Sequence, residues 1–428
     1  MPTSLNSSTT GLGSVLKTAY PKTMATLIRV LGDVDRAEEA TSEAVVRALQ
    51  RWPQDGTPEN TVAWLVTTGR NYDTDLLRKR QLETQYGQTV RVLQTQAAAP
   101  ASDELKVTPL EDDLLRLVFA CCHPDLETRA QVLLTLKVVL GFSVSEIARS
   151  LLIRERTAEQ RLTRAKRALR EQQGDFALPR AKQLAPRLAA VRQVIYLLFN
   201  QGYSEPRRAR LAQTDLMSEA IRLCRMVVRL FCYDPETRSL LALMILNRAR
   251  LAARLDTSGV FVPLQEQDRQ RWSAAHIEEG LALIDAVFVT RPPPGPYQLQ
   301  AAISALHCRA NCFEDTDWAQ IIGIYEKLLT LEHSPVVAVN HASAVALGGN
   351  PTAALTLLQR WQDDPQLQAY QSYYVAMGYI HRQLGNLAEA TAAYEHAITL
   401  TRERAEQFYL QRQLDALAQD SAAQKKET

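Results

Sequence analysis

Five side chains between Arg156 and Arg167 have the chemistry needed to read a nucleic-acid duplex. Arg156, Thr157, Gln160, Arg164 and Arg167 fall on one face of a helix, because residues three and four apart lie one above the other. A guanidinium matches the guanine edge, a glutamine amide matches adenine, and neighbouring cations neutralise phosphates. Arg161 adds a further cation between them. From Arg154 to Arg170 there are seven basic residues against two acidic ones, in a chain of 428 residues with a formal net charge of only +2. Charge is therefore gathered here and not spread over the molecule.

An element must hold such a face toward its target. Ala158, Leu162, Ala165 and Leu169 recur four, three and four residues apart and form an apolar stripe on the opposite side. Upstream, "TRAQVLLTLKVVLG" is an apolar helix with a terminating glycine, Gly141. Ser143 and Glu146 then stand at capping-box spacing, with Phe142 and Ile147 placed to staple across the box, so a short helix starts at Val144 and ends near Leu151. A short helix, a tight turn and a basic second helix make a helix-turn-helix, whose second helix enters the major groove.

A second surface lies nearer the start. "DRAEEATSEAVVRALQRW" has Asp35 and Glu38 at capping-box spacing, an apolar stripe of Ala37, Ala40, Ala44, Ala48 and Trp52, an acidic outer face, and Pro53 as its expected end. The loop "QDGTPEN" leads to a helix over 61–80 that carries Trp64 and Tyr72 and ends on Arg78, Lys79 and Arg80. Rings interleaved with cations suit unstacked bases, at ~1–3 kcal/mol per stacked base. The packing expectation for Trp64 and Tyr72 is nevertheless core.

The remaining sequence sets limits. Its length predicts two to four domains of roughly 100–200 residues. Helical periodicity dominates, so the fold is predicted to be all-α: two small helical domains at 14–86 and 112–172, an exposed linker at 87–111, a helical extension at 180–290 and a repeat region at 296–419. The segment Tyr373 to Leu400 resembles a tetratricopeptide repeat through Gly378, Tyr379, Leu384, Gly385, Ala390, Tyr394 and Ala397. Tyr325 lies 69 residues before Tyr394, two periods of ~34. Stacked pairs of this kind form a solenoid with a concave face for a partner.

No phosphate loop, H-E-x-x-H or nucleophile elbow occurs, so no catalytic residue, cofactor or metal is expected. The six cysteines are expected to be reduced and mostly buried, including Cys121 and Cys122 of "CCHP". "EQDRQRW", Glu266 to Trp272, is expected to hold a buried ion pair. Apolar runs fall short of the ~20 residues that cross a bilayer, and the first residues do not read as a signal peptide, so a cytoplasmic location and no membrane partner are expected.

The two N-terminal blocks resemble bacterial RNA polymerase sigma factors of the extracytoplasmic-function group. The resemblance is carried by "GDVDRAEEATSEAVVRALQRWP", "AWLVTTGRNYDTDLLRKR", "DDLLRLVFACCHP" and "EIARSLLIRERTAEQRLTRAKRALR". "YLLFNQGYS", "PLQEQDRQRW" and "GPYQLQAAI" are similar to the subgroup with a long C-terminal helical extension. This implies a promoter-specificity subunit with RNA polymerase core, through its clamp and flap, and promoter DNA as partners. Glu38, Glu39 and Glu43 would dock on the clamp. The loop Gln54 to Asn60 with Arg70, Asn71, Arg78 and Lys79 would capture the melted minus-ten strand. Arg156, Thr157, Gln160, Arg161, Arg164 and Arg167 would bind the minus-thirty-five duplex, and the linker would thread toward the polymerase active-site channel.

The chain departs from that group at Ser42 and Val45, and at Asp73 and Thr74, where a carboxylate facing DNA would repel phosphate. The C-terminal part is expected to regulate the factor, through a partner on its repeats, or to scaffold it. The alternative is a helical-repeat adaptor whose helix-turn-helix binds protein.

Overall fold

Apolar stripes three and four residues apart build helix after helix, and in the computed structural model the all-α expectation holds. The structure describes residues 5–87, 110–123, 125–151, 153–171, 181–203, 214–290, 293–401 and 404–427, and among these there is no strand, only a lone bridge between Leu255 and Phe261. Apart from Gly87, Leu110 and Glu111, the expected linker at 87–111 lies outside the described residues. Two compact units divide the chain between Leu198 and Phe199.

The first unit opens with α1 (Leu5–Leu31), α2 (Val34–Asp55) and α3 (Thr61–Gly87), each packed on the other two. The predicted stripe of α2 is buried throughout: Ala37, Ala40, Ala44 and Ala48 are sealed and Trp52 nearly so. Small side chains along this stripe bring Met24, Leu27 and Ile28 of α1 and Leu65 of α3 into one core.

Both ends of α2 differ from expectation. Asp33, not Asp35, caps it, accepting hydrogen bonds from Asp35 N and Arg36 N at 2.9 Å each. Pro53 sits inside its last turn, and the helix ends where Gly56 N donates to Trp52 O at 3.0 Å. A proline loses one hydrogen bond and does not force a stop so close to an end.

The rest of the first unit is α4 (Leu110–Cys121), α5 (Thr128–Leu134), a π-turn (Thr135–Val139), α6 (Val144–Ser150), α7 (Glu155–Glu171) and the larger part of α8 (Ala181–Tyr203). Leu140 N donates to Thr135 O at 2.9 Å, the i to i+5 bond that defines the π-turn. Gly141 ends this segment with φ +75°, and a Cβ there would meet the Tyr20 ring at 2.7 Å, so glycine is required twice over. Helix α4 and the π-turn both pack on α1. Residues 14–86 and 112–172 therefore lie within one unit.

The second unit contains α9 (Thr214–Leu230), α10 (Pro235–Ala249), α11 (Ala274–Thr290), α12 (Pro296–Arg309), α13 (Trp318–Leu331), α14 (Pro335–Leu347), α15 (Pro351–Gln359), α16 (Pro365–Gln368), α17 (Gln371–Gln383), α18 (Leu387–Leu400) and α19 (Arg404–Glu427). Proline opens five of these helices, where its missing N–H costs nothing. The middle of helix α10 is apolar on all sides, with Leu240 to Leu246 buried, and the helix packs against α9, α11 and α12. From α12 onward most successive helices pack in pairs, α17 with α18 most extensively. In that pair Gly378 lets the Tyr394 ring approach to where a Cβ would be 2.7 Å away, and Ala390, Tyr394 and Ala397 are sealed. Tyr325, one repeat interval earlier, is only half-buried.

Two further expectations are corrected here. Only Cys121, Cys122 and Cys224 are buried; Cys308 is intermediate, and Cys232 and Cys312 are exposed because both fall in turns between helices. "EQDRQRW" holds no buried ion pair among the described residues. Glu266 meets Arg412 at 2.8 Å on the surface, while Arg250 and Arg269 stand over the Trp272 ring at 5.3 and 4.9 Å. The ring face attracts a cation without requiring a desolvated carboxylate. Arg269 also donates to His307 O at 2.7 Å and Ala310 O at 2.6 Å.

Candidate nucleic-acid interface

The capping box before α6 is formed in both directions. Ser143 N donates to Glu146 Oε2 at 2.8 Å, and Glu146 N donates to Ser143 Oγ at 3.2 Å. These bonds start α6 one residue beyond Ser143 and set its approach to α7. Ala158, Leu162, Ala165 and Leu169 are all buried, so α7 is mounted by the stripe that its spacing predicts. On the far side Arg156, Gln160, Arg164 and Arg167 are exposed, and Thr157 and Arg161 are half-buried. Arg161 and Arg164 also border a cleft of about 420 Å³ closed by Asp125, Glu127 and Arg129. Such a face can give two parallel N–H groups to a guanine edge while its neighbours sit on phosphates.

The second surface is formed by the loop before α3 and by α3 itself. Asn60 caps α3, its Oδ1 accepting from Ala63 N at 3.0 Å, which leaves its amide N–H groups to meet a ligand. Arg70, Asn71, Arg78 and Lys79 are exposed. Trp64 packs edge-on to Trp52 at 5.3 Å, and the Tyr72 hydroxyl donates to Glu39 Oε1 at 3.0 Å. Both rings are half-buried, so the core expectation is met only in part.

Asp73 does not face solvent, and the expected clash with phosphate is corrected. Its side chain is 6% exposed and takes Arg36 Nε at 2.9 Å and Nη2 at 2.5 Å. Asp73 therefore ties α3 to α2. Thr74 remains exposed and bonds back to Arg70 O at 2.9 Å.

The acidic face of α2 is built differently from what its sequence suggests. Glu38, Glu39, Glu43, Asp35 and Ser42 border a recess of about 500 Å³, closed on one side by Lys166. Glu43 pairs with Arg47 at 2.8 Å. Glu38 has both carboxylate oxygens occupied: Lys137 Nζ stands 2.7 Å from Oε1 and Lys166 Nζ 2.6 Å from Oε2. Burial pushes the Glu38 carboxyl up, but the hydrogen bonds and charges of Lys137 and Lys166 outweigh it, so its pKa lies below the ordinary value. Lys166 also reaches Asp35 Oδ1 at 2.9 Å.

Sequence reasoning missed these two lysines. A signal was present for one of them: Lys137 is the lone charge in an apolar run, and a charge carried into a core needs a counter-charge. Val46 and Leu49, nearly half exposed on the same helix, extend this surface with apolar contact area.

Cys121 and Cys122 are sealed, and burial raises both thiol pKa values, that of Cys122 to about 12, so they stay protonated. Among the described residues no three His, Cys, Asp or Glu side chains gather as a metal site, and no helix is long and apolar enough to cross a membrane.

Comparison with known proteins adds four findings. Residues 16–83 match the family described as Sigma-70 region 2, and residues 116–169 match Sigma-70, region 4. Residues 187–288 match a family of unknown function (DUF6596). Over 408 residues the chain is 41% identical to an uncharacterized protein of Rhizobium meliloti, covering 95% of this chain and 96% of that one.

Proposed function

The chain belongs to the sigma-70 family, as an extracytoplasmic-function-type factor that carries a C-terminal extension and binds RNA polymerase and promoter DNA through its sigma-70 regions, and from that premise we propose how its surfaces divide the work. Arg156, Thr157, Gln160, Arg161, Arg164 and Arg167 read the minus-thirty-five element as duplex. Asn60, Arg70, Asn71, Arg78 and Lys79 hold the parted minus-ten strand. Glu38, Glu39 and Glu43 dock on the polymerase clamp, and the domain of α4 to α7 meets the flap. The work takes place in the cytoplasm.

The observation that carries this reading is the exposed cationic face of α7, set on a buried stripe beside a capped α6. Charge and spacing favour duplex DNA over a protein partner, since the groups on that face match base edges and phosphates.

Opening a promoter unstacks bases at a few kcal/mol per step, and capture of an extruded base offsets part of that. Polymerase supplies the remaining grip. With a net charge of +2 the chain alone neutralises few phosphates, so it binds free DNA weakly.

The test is transcription in vitro with purified core polymerase over a promoter library. Defined start sites that vanish with R156A/Q160A/R164A are expected, whereas no start sites would overturn the reading. Start sites that survive the triple substitution would favour the adaptor alternative for the helix-turn-helix.

The C-terminal helical part regulates or scaffolds the factor, with the α17–α18 pair as the unit most similar to a tetratricopeptide repeat. Ending the chain after Tyr203 retains all of the first unit and separates the two roles. Higher transcription indicates a regulator that restrains, and an inactive or insoluble product indicates a scaffold.

A further inference from the structure

The carboxylates of α2 assigned above to polymerase docking already have partners within the first unit. Lys137 comes from the π-turn and Lys166 from α7, and their side chains are only 17% and 16% exposed. Glu38, at 20%, is covered to the same degree. Lys137 lies within the π-turn, in an otherwise buried stretch, and its side chain reaches Glu38.

A second fastening joins α4 to α1. Asp113 of α4, with a fully buried side chain, takes Arg29 Nε of α1 at 2.8 Å and the Thr26 hydroxyl at 3.2 Å. Tyr20 of α1 packs against Gly141, and burial followed by the Glu38 charge raises its phenol pKa, so it stays an uncharged hydroxyl.

We propose that the α4–α7 domain is an internal competitor for the polymerase: Lys137 and Lys166 occupy the position on Glu38 and Asp35 that cationic side chains of the clamp would take. This rests on the docking role assigned to α2. The form able to dock is then a minority state, and the apparent dissociation constant for core exceeds the intrinsic one by the inverse of its population. Minor states commonly hold about 0.1–10% of a population, and partly exposed ion pairs are individually weak. Removing both lysines should therefore strengthen core binding roughly tenfold, the low end of that range.

The experiment uses the full chain in two measurements. In the first, lysines of the free protein are acylated briefly and located by mass spectrometry. Lys137 and Lys166 should be protected relative to exposed Lys79. Equal labelling of all three would show that the lock does not exist.

In the second, K137A/K166A and the charge-retaining K137R/K166R are titrated against core polymerase, with helical content and melting followed for each. The alanine pair should bind core roughly tenfold more tightly than the natural chain, and the arginine pair should not. Equal binding by all three overturns the lock and leaves the docking role standing. Failure of all three to bind core overturns the docking role and the lock together.

Discussion

Asp73 and Arg36 show how far a single side chain can depart from the reading its position invites. A carboxylate among cations on α3 looks like a liability toward phosphate, yet it is turned inward and forms a forked pair with Arg36 at 2.9 and 2.5 Å. Replacing Asp73 by Ala leaves that guanidinium without its counter-charge, at a cost of about 1–3 kcal/mol. The low end is expected, because the Arg36 side chain is 36% exposed. Thermal melting checks this: the variant should melt several degrees lower, and its promoter affinity in the polymerase complex should not rise. Tighter promoter binding at unchanged melting temperature would restore the repulsion reading. The exposed residues of α7 were legible because they alternate with a buried stripe. The Asp73 pairing was not, because its partner lies 37 positions away on another helix.

At the scale of elements, local chemistry decides the start of α6 and the end of the segment before it. Gly141 has φ +75° and the Tyr20 ring against its α-carbon. Gly141→Ala must adopt a left-handed backbone, at about 1–3 kcal/mol, and also displace Tyr20. Chemical denaturation should show the loss, and transcription should fall with it because α6 and α7 follow directly. A variant as stable as the natural chain would mean that the turn can be rebuilt. The capping box of Ser143 and Glu146 was readable because its partners are three residues apart. By contrast the π-turn at Thr135–Val139 leaves no local mark, since "TLKVV" satisfies an ordinary helix equally well. What sets it apart is its surroundings, since both α1 and α4 pack on it. Helix α2 is capped by Asp33 and passes through Pro53 to end at the positive-φ Gly56, all through bonds between residues two to four apart.

For the whole molecule, pH acts on the second unit through one deeply buried histidine. His307 is buried beneath two guanidiniums; burial first, then Arg250 and Arg269, lowers its pKa to about 3. A folded pKa below the unfolded value of about 6.5 means that the unfolded chain binds the proton more readily. Stability is therefore full above that value and declines as pH falls toward 3. Melting of the full chain between pH 7 and 4 should show this decline, and His307→Gln should make it shallower; an unchanged slope would remove His307 as a cause. Periodicity, caps and proline positions were enough, by themselves, to determine an all-helical chain, the helix-turn-helix and its cationic face, because each depends on residues within one or two turns of each other. Only the tertiary structure decided that Asp73 is internal, that Arg250 and Arg269 share a tryptophan, and that Lys137 and Lys166 close over Glu38. Apart from Arg269, which stands one turn before Trp272, those pairings join residues tens to more than a hundred positions apart, and a charge is satisfied by whichever opposite charge or ring the folded chain brings within about 3–6 Å.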